Sequence, residues 1–168
     1  MKVLKFGGTS VGSPERMRHV AKLITKESRN VVVLSAMSGT TNTLVEITEY
    51  LYKGNIPGAQ ETVNGLYAKY MTVIEQLLST MQGKARAAAA ITRVFALLRS
   101  YFAEPLTEAG EKEILAQGEL MSTALMQCYM EEHGVKSVLL PALDFMRTLD
   151  SGEPDMQHIQ VRLRRLID

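Results

Sequence analysis

A lysine, two glycines and two hydroxyl residues stand together in Lys5-Phe-Gly-Gly-Thr-Ser10, and that combination can hold phosphate. Glycine lacks a Cβ, so the backbone can take positive φ or admit a ligand closely, and its N–H groups can turn toward oxygens. Lys5 adds a compact point charge at the mouth. A helix starting just beyond aims its N-terminus at the same spot. The residues also suit a plain strand-to-helix turn, so the stretch alone admits both readings. Two other glycine motifs fail here. A Walker loop needs its lysine after the second glycine, whereas Lys5 precedes both, and Gly7, Gly8 and Gly12 are not spaced as in the dinucleotide fingerprint.

Hydroxyls recur in Ser35-Ala-Met-Ser-Gly-Thr-Thr-Asn42, ahead of a helical pattern through Leu44, Ile47 and Leu51. Ser38, Thr40, Thr41 or Asn42 can cap that helix, and capping is compatible with ligand binding at one helix N-terminus. Further on, Gly118-Glu119 interrupts a long helical pattern. A glycine inside a helix costs roughly 1 kcal/mol relative to alanine, which points to a close approach that only glycine permits. Glu119 by itself reads as an exposed helix acid.

These residues need elements to bring them together. Val3, Leu4 and Phe6 predict a short strand, and Ser13-Pro14-Glu15 a helix start with a hydroxyl cap, proline in the first turn and an acid. Met17, Val20, Ala21 and Ile24 continue that helix, and Asn30 closes it. Val31-Val-Val-Leu34 is continuously apolar, as in a parallel strand covered on both faces. Strand, helix, strand is a right-handed βαβ unit, and ligands in such sheets sit beyond the carboxyl ends of the strands. Lys5 to Ser10 therefore falls beside Ser35 to Asn42. Two helical patterns at about 59–81 and 84–103 form a hairpin about Gly83, one carrying Val63, Leu66, Tyr70 and Leu77 and the other Ile91, Phe95 and Leu98. A longer helix follows Pro105 and ends at Gly134, residues 135–140 predict a third strand, and Pro154-Asp155 starts a last helix with Arg162, Arg164 and Arg165 on its solvated side.

Composition narrows the partners. At 168 residues and 46% hydrophobic the chain can bury one moderate core, and a formal charge of +1 gives no reason to invoke nucleic acid or an anionic membrane. Cys128 is the single cysteine, so an internal disulfide is excluded and a packing role is expected. No run of about 18 apolar residues exists, and the chain opens on a strand instead of a signal peptide, which leads to a cytoplasmic expectation. His19, His133 and His158 are scattered, so no protein-built metal site is expected.

Lys5-Phe-Gly-Gly-Thr-Ser-Val11 resembles the signature that opens aspartate kinases, members of the amino-acid kinase family. Val31-Val-Val-Leu-Ser-Ala36 with Gly39 to Asn42, Gly118-Glu-Leu-Met-Ser122 and Phe145-Met-Arg-Thr148 agree in the same order. The resemblance implies an α/β fold, the parallel-sheet three-layer α/β sandwich of the amino-acid kinase (carbamate kinase-like) type. Residues 1–168 would form its N-terminal portion, with a helical hairpin insertion at about 58–104; the rest of the domain and regulatory ACT modules would lie outside. It implies transfer of the γ-phosphoryl group of MgATP to the side-chain carboxylate of L-aspartate, opening lysine, threonine and methionine synthesis, with the metal carried by the nucleotide. Lys5 would be catalytic and, with Phe6, Gly7, Gly8, Thr9 and Ser10, would hold ATP. Glu119 would grip the substrate ammonium, Ser35 and Thr41 would hydrogen-bond the amino acid, and Ser122 would support them. A homo-oligomer is implied for the full-length protein. One departure is Pro141-Ala-Leu143, where many relatives carry Asp-Ala-Arg, and Arg147 has no assigned task. Another kinase of the same superfamily, or a catalytically silent nucleotide-binding lobe, are the alternatives.

Overall fold

A computed structural model describes residues 2–26 and 29–167, which divide into two compact units, Met1–Ser137 and Val138–Asp168. In the first unit, β1 (Lys2–Phe6) leads through a glycine loop to α1 (Pro14–Ile24), followed by β2 (Asn30–Leu34) and α2 (Thr40–Tyr52). Then come α3 (Ile56–Leu77), α4 (Met81–Ser100) and α5 (Glu108–Glu132). The architecture is α/β, with β1 and β2 paired in parallel from Lys2↔Asn30 to Phe6↔Leu34. Ser13 caps α1 as expected, its hydroxyl accepting from Arg16 N at 3.3 Å. Asn30 acts on α1 from outside: it is the first residue of β2, and its Nδ2 donates 2.9 Å to the free carbonyl of Ile24.

Alternation along the strands decides which face is buried. Leu4, Phe6 and Val32 pack against the core, and Leu34 lies within it. The opposite face is open, with Val3 68% and Val33 44% exposed and Lys5 beside them. The apolar run at 31–34 is thus covered on one face and not on both. A run of valines suits a two-sided burial, but a pair of strands with helices on one side gives only half of it.

The helical hairpin is present, with its turn at residues 78–80 and not about Gly83. Thr80 caps α4 by accepting from Gly83 N at 3.0 Å, and Glu132 at the end of α5 reaches over the same turn. Its carboxylate accepts from Ser79 N at 2.8 Å, Thr80 N at 3.1 Å and the Thr80 hydroxyl at 2.8 Å. A Cβ on Gly83 would lie 2.5 Å from Glu132 Oε2, so the glycine makes room for the carboxylate. Partial desolvation pushes the Glu132 carboxyl up, but the hydrogen bonds from Ser79 and Thr80 outweigh it and the net shift is downward. A lowered folded value means the contribution is present above the ordinary carboxyl value of 4.5 and is lost as pH falls through the folded value. Glu132→Gln should therefore cost about 1 kcal/mol near neutral pH and nothing once the carboxyl is protonated. Urea midpoints of the two proteins that fail to converge on acidification would remove Glu132 from that role.

Helix α5 ends as predicted at Gly134, whose φ of +69° supplies the left-handed residue. Gly134 N donates to Glu131 O at 3.0 Å and Val135 N to Met130 O at 2.9 Å, the double closure of a Schellman ending. That closure overturns the third strand. Val135 packs back on the core as the apolar partner of the helix end, and residues 135–140 form no strand. Gly118 does not interrupt α5, which runs straight through it. Cys128 is buried on this helix, and burial pushes its thiol up.

The second unit holds a short 3-10 turn at Ala142–Asp144 and α6 (Met156–Ile167). Asp155 caps α6, Oδ1 accepting from His158 N at 3.0 Å. Arg147, left without a task by the sequence, donates Nε to Asp155 Oδ2 at 2.9 Å, while Asp155 N bonds Arg147 O at 2.8 Å and Thr148 bridges Pro154. The Asp155 carboxyl is held below its usual value, first by the His158 amide and then by Arg147.

Candidate functional site

Parallel pairing places both polar loops at the same end of the sheet, because β1 and β2 finish together at Phe6↔Leu34. The pairing continues one step past the strands, where Ser35 N donates to Phe6 O at 3.0 Å. Gly7 faces open space, and Ser10 N closes a turn on Gly7 O at 2.9 Å. At Gly8 the reason for glycine is contact: an added Cβ would lie 2.9 Å from Ala36 O. Ser38 Oγ donates to Gly8 O at 3.2 Å, and a Cβ on Gly12 would lie 2.5 Å from Ser38 Oγ. The glycine loop and the second loop are thus packed on one another, which a simple strand-to-helix turn does not require. Arg16, in the first turn of α1, donates Nη1 to Thr9 O at 2.7 Å and steadies the loop from its other end.

Helix α5 approaches the second loop through three consecutive contacts. A Cβ on Gly118 would lie 2.8 Å from the Ala36 Cβ, which is the close approach that the glycine signalled. Glu119 Oε1 accepts from Ala36 N at 3.2 Å. Ser122 Oγ donates to Ser35 O at 2.8 Å. Glu119 is an exposed helix carboxylate, and one of its oxygens is tethered to the loop.

The expected site residues divide accordingly. Phe6, Gly7, Gly8, Thr9 and Ser10 form one loop and Ser35 begins the other; Glu119 reaches that second loop from α5. Lys5 is exposed on the open face one residue before the first loop. Thr41 is exposed in the first turn of α2. Ser122 is fully buried and holds the loop through the Ser35 carbonyl. None of Ser38, Thr40, Thr41 or Asn42 caps α2: its N-cap is Gly39 at φ +79°, with no side-chain hydrogen bond. Thr40 instead meets the Tyr70 hydroxyl at 3.0 Å in the interior. Ser38 as the link between loops, and Lys69 and Tyr70 on α3 beneath them, were not legible as site residues; they carry no local pattern beyond a hydroxyl in a turn and an apolar helix position. Among the described residues no cluster of His, Cys, Asp or Glu could hold a metal ion, and no helix is long and apolar enough to cross a membrane.

The amino acid kinase family model matches residues 1–167. The chain belongs to that family. Among its relatives are the lysine-sensitive aspartokinase 3 of Escherichia coli, 32% identical, and the chloroplastic aspartokinase 2 of Arabidopsis thaliana, 29% identical; each match takes in 92% of this chain, but only 34% and 29% of those proteins. The crystal structure of E. coli aspartokinase III in complex with aspartate and ADP superposes with a TM-score of 0.80 at 27% identity, over 99% of this chain and 37% of that one. The amino acid kinase chain described here thus spans about a third of the length of these relatives.

Proposed function

We propose that this amino acid kinase chain forms the phosphate- and amino-acid-binding portion of an aspartate kinase, which transfers the γ-phosphoryl group of MgATP to the side-chain carboxylate of L-aspartate and gives 4-phospho-L-aspartate. The observation that carries the reading is the tether from Glu119 to Ala36, which sets a carboxylate on the loop that lies against Gly8. Two anions must meet in this reaction, so the protein's task is mostly positioning and neutralisation of charge. Lys5 and the N–H groups of the open Gly7 turn serve the phosphates. Glu119, with Oε1 held by Ala36, offers its other oxygen to the substrate ammonium, which explains how an acid can serve a dicarboxylic substrate without repelling it. Ser35 and Thr41 flank that position as hydrogen-bonding groups. The magnesium ion arrives on the nucleotide. On this reading α3 and α4 are a helical insertion on the amino-acid side, and the enzyme is a cytoplasmic homo-oligomer that opens lysine, threonine and methionine synthesis.

The deciding assay is ATP-dependent formation of an acyl phosphate from L-aspartate by a protein carrying the whole catalytic domain, trapped as the hydroxamate. Loss of the product when aspartate is replaced by another carboxylic acid supports the assignment; equal activity on an unrelated acceptor sinks it. Glu119→Gln keeps an oxygen for Ala36 N and removes only the charge. Aspartate affinity should fall about tenfold to a hundredfold, the range for a hydrogen bond to a charged group, while MgATP affinity holds. Calorimetry separates the two ligands, and unchanged aspartate affinity would leave Glu119 as a structural tether alone.

A further inference from the structure

Helix α2 begins without a side-chain cap, at a glycine whose φ is +79°, so the turn before it takes its shape from elsewhere. Two consecutive residues of α3 supply that shape. Lys69 Nζ donates to Ser38 O at 2.9 Å on one side of Gly39, and the Tyr70 hydroxyl lies 3.0 Å from Thr40 Oγ1 on the other. Ser38 then carries the grip onward through its own hydroxyl to Gly8 O at 3.2 Å. The Tyr70 ring is fully buried against Phe95, with ring centroids 6.2 Å apart, so its hydroxyl is fixed in place. Burial pushes that hydroxyl up to about 12, and it stays protonated and able to bond Thr40 across the neutral range. Lys69 is exposed and restrains a long, flexible side chain to reach one carbonyl, an ordering cost that surface packing alone does not ask for.

We propose that Lys69 and Tyr70 are positioning residues that lock the turn at residues 38–41 against the glycine loop, and so set the spacing between the phosphate-holding and amino-acid-holding halves of the site. The assignment of those halves rests on the phosphoryl-transfer reading above; the lock itself rests on the three contacts through Ser38 and Thr40. Its consequence is directional. Releasing the turn moves Thr41 and the Ala36 to Ser38 backbone, on which the amino acid depends, whereas Gly7 and Lys5 stay anchored to β1.

The test uses Lys69→Met, Tyr70→Phe and the conservative Lys69→Arg. Hydrogen exchange on the ligand-free chain reads the lock at Thr40 N–H, bonded to Met37 O at 3.0 Å, and Thr43 N–H, bonded to Gly39 O at 3.1 Å. Both amides should exchange about threefold to tenfold faster in the Met and Phe variants, as expected for loss of one hydrogen bond, with α4 amides unchanged and Lys69→Arg close to wild type. Unchanged rates at Thr40 and Thr43, or an increase spread evenly over α3 to α5, would overturn the proposal. In a protein with the whole catalytic domain the Met and Phe variants should raise KM for the amino acid by about the same factor and leave that for MgATP within about twofold. Equal rises for both substrates also count against it. If the wild type transfers no phosphoryl group, the functional reading fails, while the exchange rates still judge the lock.

Discussion

Lys5→Ala should reduce turnover by about 10²–10³, the usual loss when a preorganised electrostatic donor is removed, while leaving the fold almost untouched. The asymmetry follows from where the residue stands. Lys5 is exposed on the open face of β1, opposite Val33, and its side chain fills no part of the core. Its backbone still pairs with β2 after substitution. What disappears is an ammonium one residue ahead of Phe6 and the Gly7 turn, where the nucleotide phosphates are expected. The measurement is steady-state kinetics in a protein with the whole catalytic domain, alongside a thermal melt. Turnover within a few-fold of wild type would take Lys5 out of the mechanism; a large drop in melting temperature would assign it to the fold.

Phe95→Ala should lower the unfolding free energy by about 3–5 kcal/mol, the usual cost of truncating a large buried aromatic. Phe95 is fully buried and meets Tyr67 edge-on with ring centroids 5.0 Å apart, and Tyr70 at 6.2 Å. It therefore joins α3 to α4 at the point that also holds the Tyr70 hydroxyl against Thr40. Against a typical total of roughly 5–15 kcal/mol, such a loss is a large share of the stability. Urea unfolding followed by circular dichroism reads it directly. A shift below about 1 kcal/mol would mean the hairpin is not closed around this ring. The variant should also loosen the turn at residues 38–41, which links core packing to the site through one side chain.

The local signals in this sequence were dependable where one short segment contains its own reason. Ser13-Pro14 starts α1, Gly134 ends α5, Asp155 caps α6, and the glycine at 118 marks a real close approach to Ala36. The two parallel strands, and hence the meeting of the first loop with Ser35 to Asn42, followed from apolar runs around a helical period. The errors have equally definite causes. Residues 135–140 look like a strand because the run is short and mostly apolar, but Val135 is used to close α5, its N–H bonded back to Met130 O. Gly83 looked like the hairpin turn, yet its small size serves Glu132, which lies 49 positions away in the chain and so leaves no local trace.

By itself the sequence determined the chemistry on offer: a lysine and glycines for phosphate, hydroxyls on a second loop, and one acid on a helix. Tertiary structure decided how those groups are held. It turned Ser122 inward to bind the Ser35 carbonyl, tied Glu119 to Ala36, placed Ser38 between the loops, and brought Lys69 and Tyr70 under the turn. Each of these contacts joins residues about 30 to 87 positions apart. Side-chain periodicity reports only which face of an element is buried, whereas the partner found there depends on how whole helices pack, and that is settled by the summed burial of the core and not by any single segment.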